Sequence, residues 1–223
     1  MSLRAPVQIP AFKVVVAGDG GIGKSALVQY LANGGFVREY VPTIGATVVP
    51  IEVSTTRGLV QLCLWDTAGQ ERFAGLSDGY YIMANAALVC YAENDQASFH
   101  AVPKWVSGIQ HVCEDIPILI LRLKAESESV WRDGNGNRCA LTAALAAQTQ
   151  SDIDALGLTE FKVSGFAQSD ISAVIRNLIR ELTGDDELEL VNTFHPRFRL
   201  DEARGRSPRC PWSKVMGSDG DRI

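Results

Sequence analysis

From residue 12 to about residue 183, short apolar runs alternate with stretches of helical spacing. "FKVVVAG" is β-branched, too short and too unbroken for an amphipathic helix, and predicts a buried strand. "KSALVQYLANG" follows as a helix, stopped by Asn33-Gly34-Gly35. "TVVPIEVST" and "LVQLCLWD" predict two strands about a tight turn at Thr56-Arg57-Gly58. Pro50 has no N–H to give to a ladder, so the first of these belongs at an edge or carries a bulge. "AALVCYA" and "IPILILRL" predict further buried strands. Between them "SFHAVPKWVSGIQHVC" has apolar residues at helical spacing, and "SDISAVIRNLIREL" is an amphipathic helix. The alternation predicts an α/β domain with a mostly parallel sheet.

Two regions break this rhythm. "ESESVWRDGNGNR" is polar and rich in Gly and Asn, which predicts an exposed loop, with a helix in "CALTAALAAQ" after it. After Gly184, "DDELELV" allows a short helix, and the rest mixes Pro, Gly and Arg without periodicity, so residues 184–223 read as a C-terminal extension. Residues 1–10 read as an N-terminal arm.

Composition narrows the class. A chain of 223 residues with 46% hydrophobic content suits one domain with an appendage and can bury a full core. A net charge of −5 argues against sequence-independent nucleic-acid binding. Cys63, Cys90, Cys113, Cys139 and Cys210 form no close pairs and mostly sit in apolar runs, which predicts free thiols in a reducing compartment. The first residues lack the apolar core of a signal peptide, and no run reaches the roughly 18 apolar residues of a membrane span.

Chemistry concentrates at the end of the first strand. Gly18-Asp19-Gly20-Gly21-Ile22-Gly23-Lys24-Ser25 fits G-x-x-x-x-G-K-[ST] at every fixed position, with a strand before it and a helix after. Glycines let backbone N–H groups converge on phosphate oxygens, and the following helix adds partial positive charge through Lys24, Ser25 and Ala26. In such a loop Lys24 reaches the β- and γ-phosphates and the Ser25 hydroxyl ligates Mg²⁺. An acidic partner on a neighbouring strand is then required, and Asp66 ends "LVQLCLWD". The Ala68-Gly69 step after it lays backbone beside a γ-phosphate, and Gln70 has the donor and acceptor needed to orient a water.

"GDGGIGKS", "YVPTIGATV" and "WDTAGQERF", in that order, resemble the small GTPases of the Ras superfamily. "YVPTIG", "TTRG", "GLSDGYY" and "HVCEDIPI" resemble the Ran family, whose members serve nucleocytoplasmic transport, while "QERF" is equally Rab-like and leaves a Rab-like trafficking GTPase as an alternative. The resemblance implies a P-loop small G domain over residues 11–183, with a six-stranded, mostly parallel sheet and helices on both faces. It implies GTP or GDP with Mg²⁺ as cofactors, Ser25, Thr43 and Asp66 as metal ligands, and Gln70, Lys24 and Thr43 as the hydrolytic set. Gly69 takes the place of the glycine that senses the γ-phosphate, Gly20 leaves room for a catalytic group, and Phe36 and Tyr40 flank the nucleotide. Exchange factors, activating proteins and switch-reading effectors of transport-receptor type are the implied partners, for a monomer found in nucleus and cytoplasm. Cys210 lies 13 residues from the end, which gives no prenylation signal and predicts no membrane anchor.

The base site departs from the family. Its Asn-Lys-x-Asp motif aligns with Leu123-Lys124-Ala125-Glu126. Leu123 makes no hydrogen bond, Glu126 keeps the carboxylate on a longer stem, and Lys124 can lay its stem over a base. The second base loop aligns with Ser164-Gly165-Phe166, where the Gly165 N–H still suits a base carbonyl. If Glu126 recovers the acid contact, loss of the Asn costs about 1–2 kcal/mol, roughly ten- to thirty-fold. Three readings stay open: retained guanine preference, relaxed base choice, and a pseudo-GTPase that binds partners without cycling. The arginines between Arg197 and Arg209 make the extension a solvated tail, an import signal or an electrostatic docking segment.

Overall fold

The run after Pro10 forms β1 (Ala11–Ala17), whose last five residues are buried. It lies inside a sheet, in a computed structural model that describes residues 10–34, 42–69, 77–123, 130–132, 138–140, 151, 153–165 and 167–191. The remaining strands are β2 (Ala46–Thr55), β3 (Gly58–Thr67), β4 (Ala86–Ala92), β5 (Ile118–Leu123), β6 (Val130–Arg132), β7 (Arg138–Ala140) and β8 (Thr159–Lys162). Six of them make one sheet in the order β2-β3-β1-β4-β5-β8. Only the β2–β3 pair is antiparallel. Strands buried on both faces need no polar alternation, which is why β4 reads as an unbroken apolar run and β1 as one interrupted only by Lys13.

Helices cover both faces. α1 (Lys24–Asn33) and α5 (Gln168–Thr183) pack Leu27, Leu31, Ile175 and Ile179 against one side. α4 (Val102–Val112) brings Val106 and Ile109 to the other, beside Trp65 and Tyr91, with α2 (Ser77–Tyr81) and α3 (Gln96–His100) nearby. α1 and α5 both stop at a glycine in the left-handed region, Gly34 at φ 69° and Gly184 at φ 66°, whose N–H bonds back into the last turn.

Pro50 pairs in register with Cys63, so it marks the sheet edge and not a bulge. Four expectations change. The stretch from Ser98 to Cys113 is not one helix; α3 ends at His100, Ala101 caps it, and α4 begins at Val102. Pro103 lacks the N–H that a continuous helix would donate to the Phe99 carbonyl, and at the first turn of α4 that loss is harmless. The polar segment expected as loop contains the antiparallel pair β6–β7, with residues 133–137 between the strands. Cys139-Ala140, expected to open a helix, end β7; residues 141–150 lie outside the described residues.

Residues 185–191 form no helix. They run back along the β2–β3 turn, with Leu190 bridged to Thr55, Val191 N–H donating to Ser54 O and Leu188 buried. Residues 192–223 lie outside the described part.

Candidate functional site

β1 borders β3 on one side and β4 on the other, so its C-terminal end opens at the point where strand order reverses, the place where ligands bind in such sheets. Gly18 leaves β1 there at φ 135°, and a Cβ on it would come within 2.3 Å of the Cys90 carbonyl oxygen in β4. No side chain fits, so the loop needs its first glycine for contact with the sheet as well as for its turn. The loop ends at Gly23 (φ 113°), which caps α1.

Lys24 is 5% exposed, and its Nζ donates to the carbonyls of Gly18 at 2.7 Å and Asp19 at 2.6 Å. Burial pushes its pKa down, against the nearby negative groups that include Asp66 and Asp19. An ammonium stripped of water and held under the loop is primed to attract phosphate oxygens.

Two neighbouring segments close over this loop. Ser25 Oγ lies 2.8 Å from Thr43 Oγ1, and Thr43 donates to Asp66 Oδ2 at 3.5 Å. Asp66 is buried at the end of β3, in register with Val16 of β1, and the Thr67 hydroxyl ties the two strands by donating to Val16 O at 2.8 Å. Burial raises the Asp66 pKa, while Ser25, Lys24 and Thr43 favour its charged form. Its Oδ1 is buried without a hydrogen-bond partner. A desolvated carboxylate oxygen beside two hydroxyls is a costly arrangement unless a hard cation meets it, and one carboxylate with hydroxyl ligands and substrate phosphates is the usual environment of Mg²⁺. The donor set therefore fits Mg²⁺. Among the described residues no cluster of His, Cys, Asp and Glu offers a different metal site.

Gly69 completes the closure. A Cβ there would meet Asp19 C at 2.3 Å and Gly20 N at 2.4 Å, so its backbone lies directly on the loop. A Cβ on Gly20 would make an ordinary 3.6 Å contact with Gly69 O. The steric demand sits on Gly69 and not on Gly20. Ala68 N–H donates to Gly45 O, linking the Asp66–Gly69 segment to the Thr43 segment.

A model of the Ras family matches residues 13–184, a span that holds the loop, Thr43, Asp66, Gly69 and both base segments. The chain belongs to the Ras family. Small GTPases of this family act as switches that bind GTP or GDP with Mg²⁺, and the six-stranded α/β domain described above is their fold. The expected residues Gly18 to Ala26, Thr43, Asp66 and Gly69 come together at one strand-end cluster. When bound, Mg²⁺ would be held by Ser25, Thr43 and Asp66 and would neutralise charge on the phosphates.

The base side of this Ras-family domain is built differently. Leu123 ends β5 with its side chain in the core, 1% exposed, and Glu93 N–H donates to its carbonyl. Ser164 and Gly165 follow β8, the strand paired with β5; Ser164 N–H donates to Asp170 Oδ2 and Gly165 is exposed at φ 50°. Phe36, Tyr40, Gln70, Lys124, Glu126 and Phe166 lie outside the described residues.

A charge network behind the base loops escaped the sequence reading. Arg122 pairs with Glu160 at 2.6 Å and lies 3.8 Å from Glu93, which Lys162 also approaches at 3.7 Å. Tyr91 donates to the second Glu160 oxygen, and burial with that bond raises the tyrosine pKa. The signal was present: a lone arginine in "ILILRL" has to find buried partners. This network ties β4, β5 and β8 together just before the two segments that align with the family's base loops.

Proposed function

We propose that this Ras-family protein is a nucleotide-dependent switch of Ran-like type, which binds GTP or GDP with Mg²⁺ and hydrolyses GTP slowly. The observation that carries the reading is the buried Asp66 carboxylate, one oxygen met by Thr43 of the Ser25–Thr43 pair and the other unpartnered, beside the Lys24 loop. A site kept for stability alone would have satisfied that oxygen. Lys24 draws in the phosphates, Thr43 and Gly69 report the γ-phosphate to their segments, and Gln70 orients water. With no arginine assigned to the site from within the chain, unassisted turnover is on the order of 10⁻⁴ to 10⁻³ s⁻¹, so an activating protein sets the working rate. Ile44, 93% exposed beside Thr43, offers an apolar contact for a switch-reading partner. The strings "YVPTIG", "TTRG", "GLSDGYY" and "HVCEDIPI" support the transport branch, with a nuclear and cytoplasmic distribution.

A second reading is favoured by Leu123. Its buried apolar side chain stands where the family reads guanine with an asparagine, and supports looser base choice or a binding module that does not cycle. The test is the nucleotide released on denaturing the purified protein, with the melting temperature measured in Mg²⁺ and added GTP, GDP or ATP. Bound guanine nucleotide, a GTP-specific rise and turnover slowed by Gln70→Leu support the switch. Equal rises with ATP and GTP support relaxed base choice, and no bound nucleotide with no rise refutes nucleotide binding.

A further inference from the structure

Asp19 is a carboxylate inside a loop whose task is to hold a polyanion. Its carbonyl accepts from Lys24 Nζ at 2.6 Å, and its backbone lies under Gly69, so it cannot be remote from the phosphate site. An unrestrained negative charge at such a place repels the ligand. The side chain is restrained: Trp105 Nε1 donates to Asp19 Oδ1 at 2.7 Å. Trp105 comes from α4, one turn from its start, and its ring packs against the core on that face of the sheet. A ring fixed by packing presents its N–H in one direction, which makes it a rigid anchor for a short acidic side chain.

We infer that Trp105 is a positioning residue for nucleotide binding, which draws the Asp19 carboxylate toward α4 and keeps its charge off the phosphates. The inference rests on the nucleotide-binding reading and adds a residue to it. It also gives α4 a direct physical connection to the phosphate loop, through one bond spanning 86 residues of sequence.

The test is the release rate of methylanthraniloyl-labelled GDP from the full chain in Mg²⁺. Hydrogen bonds to a charged group are worth enough that Trp105→Phe, which keeps a smaller aromatic ring and loses the donor, speeds release about tenfold. Adding Asp19→Asn to that variant removes the charge that needed restraint, and release returns to within about twofold of the parent. A role in packing alone predicts no such rescue, so an undiminished defect in the double variant overturns the inference, as does an unchanged rate in Trp105→Phe. If Trp105→Phe does not fold, two variants of Asp19 carry the same test with the core untouched. Asp19→Glu shifts the carboxylate out of register with the indole and speeds release more than Asp19→Gln, which has the same length without the charge. Equal rates for these two overturn the inference. Failure of the parent to bind the labelled GDP at all refutes the underlying reading instead, and is seen before any variant is made.

Discussion

Asp66→Asn separates a metal ligand from a structural carboxylate, because the two roles predict opposite changes. In the nucleotide-free protein the Asp66 carboxylate is held out of water, and the net effect of its surroundings raises its pKa even with Lys24 close by. A raised carboxylate pKa means that the fold prefers the neutral group, so at neutral pH the charge costs stability. Asparagine is neutral and isosteric, and its oxygen can still accept from Thr43. Relief of one unpartnered buried oxygen is worth about 1–3 kcal/mol, less what the amide N–H groups lose if poorly placed. A net gain of about 1 kcal/mol corresponds to about 2–4 °C for a chain of this length. With Mg²⁺ and GTP the sign reverses. At a ligand concentration near 1,000 times Kd, binding stabilises the parent by about 4 kcal/mol; a hundredfold weaker variant keeps about 1.4. Differential scanning fluorimetry with and without Mg²⁺–GTP reads both quantities. A variant that melts lower without ligand, yet gains as much as the parent with it, refutes the metal-ligand role.

Gly69→Ala places a Cβ 2.3–2.5 Å from Asp19 and Gly20 backbone atoms, so the segments must separate by about 1 Å to regain ordinary contact. The expected result is loss of the difference between the GTP- and GDP-induced melting shifts, and a retained difference counts against Gly69 as the sensor. Burial pushes the Cys90 thiol up to about 12, and Cys90 and Cys63 are both fully buried. A thiol reagent at neutral pH followed by peptide mapping should therefore label half-buried Cys113 before Cys63 and Cys90, and equal labelling of Cys90 in native protein refutes the packing described for β4. The Arg57 guanidinium at 2.7 Å holds the Asp185 carboxyl below its ordinary 3.8, so the pair stabilises the fold fully above that pH and ceases to do so as pH falls through the lower native value. Asp185→Asn should lower the melting temperature slightly at pH 7, with the gap from the parent closing in acid and in high salt; a gap independent of pH excludes the ion pair as its cause.

Strands buried on both faces were legible because burial imposes one rule on most positions. β4 obeys it throughout, and β1, β3 and β5 obey it apart from the less buried first residues of β1 and β3 and a few polar positions such as Lys13, Gln61, Asp66 and Arg122. The phosphate loop was legible for a different reason: its spacing is set by backbone geometry, so glycines at fixed offsets can hardly mean anything else. Helix limits were harder to read. Apolar spacing from Phe99 through Ile109 is helical across Ala101, and only the missing N–H of Pro103 divides the stretch. Residues 185–191 were missed because their order comes from partners distant in sequence, Ser54 to Arg57, and not from local periodicity. The Trp105–Asp19 bond was beyond any local pattern, since it joins residues 86 apart in the chain.

The phosphate and base halves of the site hang from different strands, and this explains how one can keep its chemistry while the other drifts. Lys24, Ser25 and Asp66 depend on β1 and β3, whereas the base segments follow β5 and β8. A change at Leu123 therefore leaves the Asp66 cluster untouched. It also becomes hard to reverse, because Leu123 has joined the core with Leu121 and Val163. Returning an asparagine to that place forfeits about 1.5–3 kcal/mol of apolar burial and adds an amide that needs partners. The affinity regained from one neutral hydrogen bond is about 1 kcal/mol. Stability thus opposes restoring the family's base motif by this single step. If the proposed nucleotide binding holds, the contacts left to hold a base are those that need no side chain at position 123, such as the Gly165 N–H beyond β8. The Arg122–Glu160 pair fixes the position of that strand against β5, and so gives the segment that carries Gly165 a rigid footing.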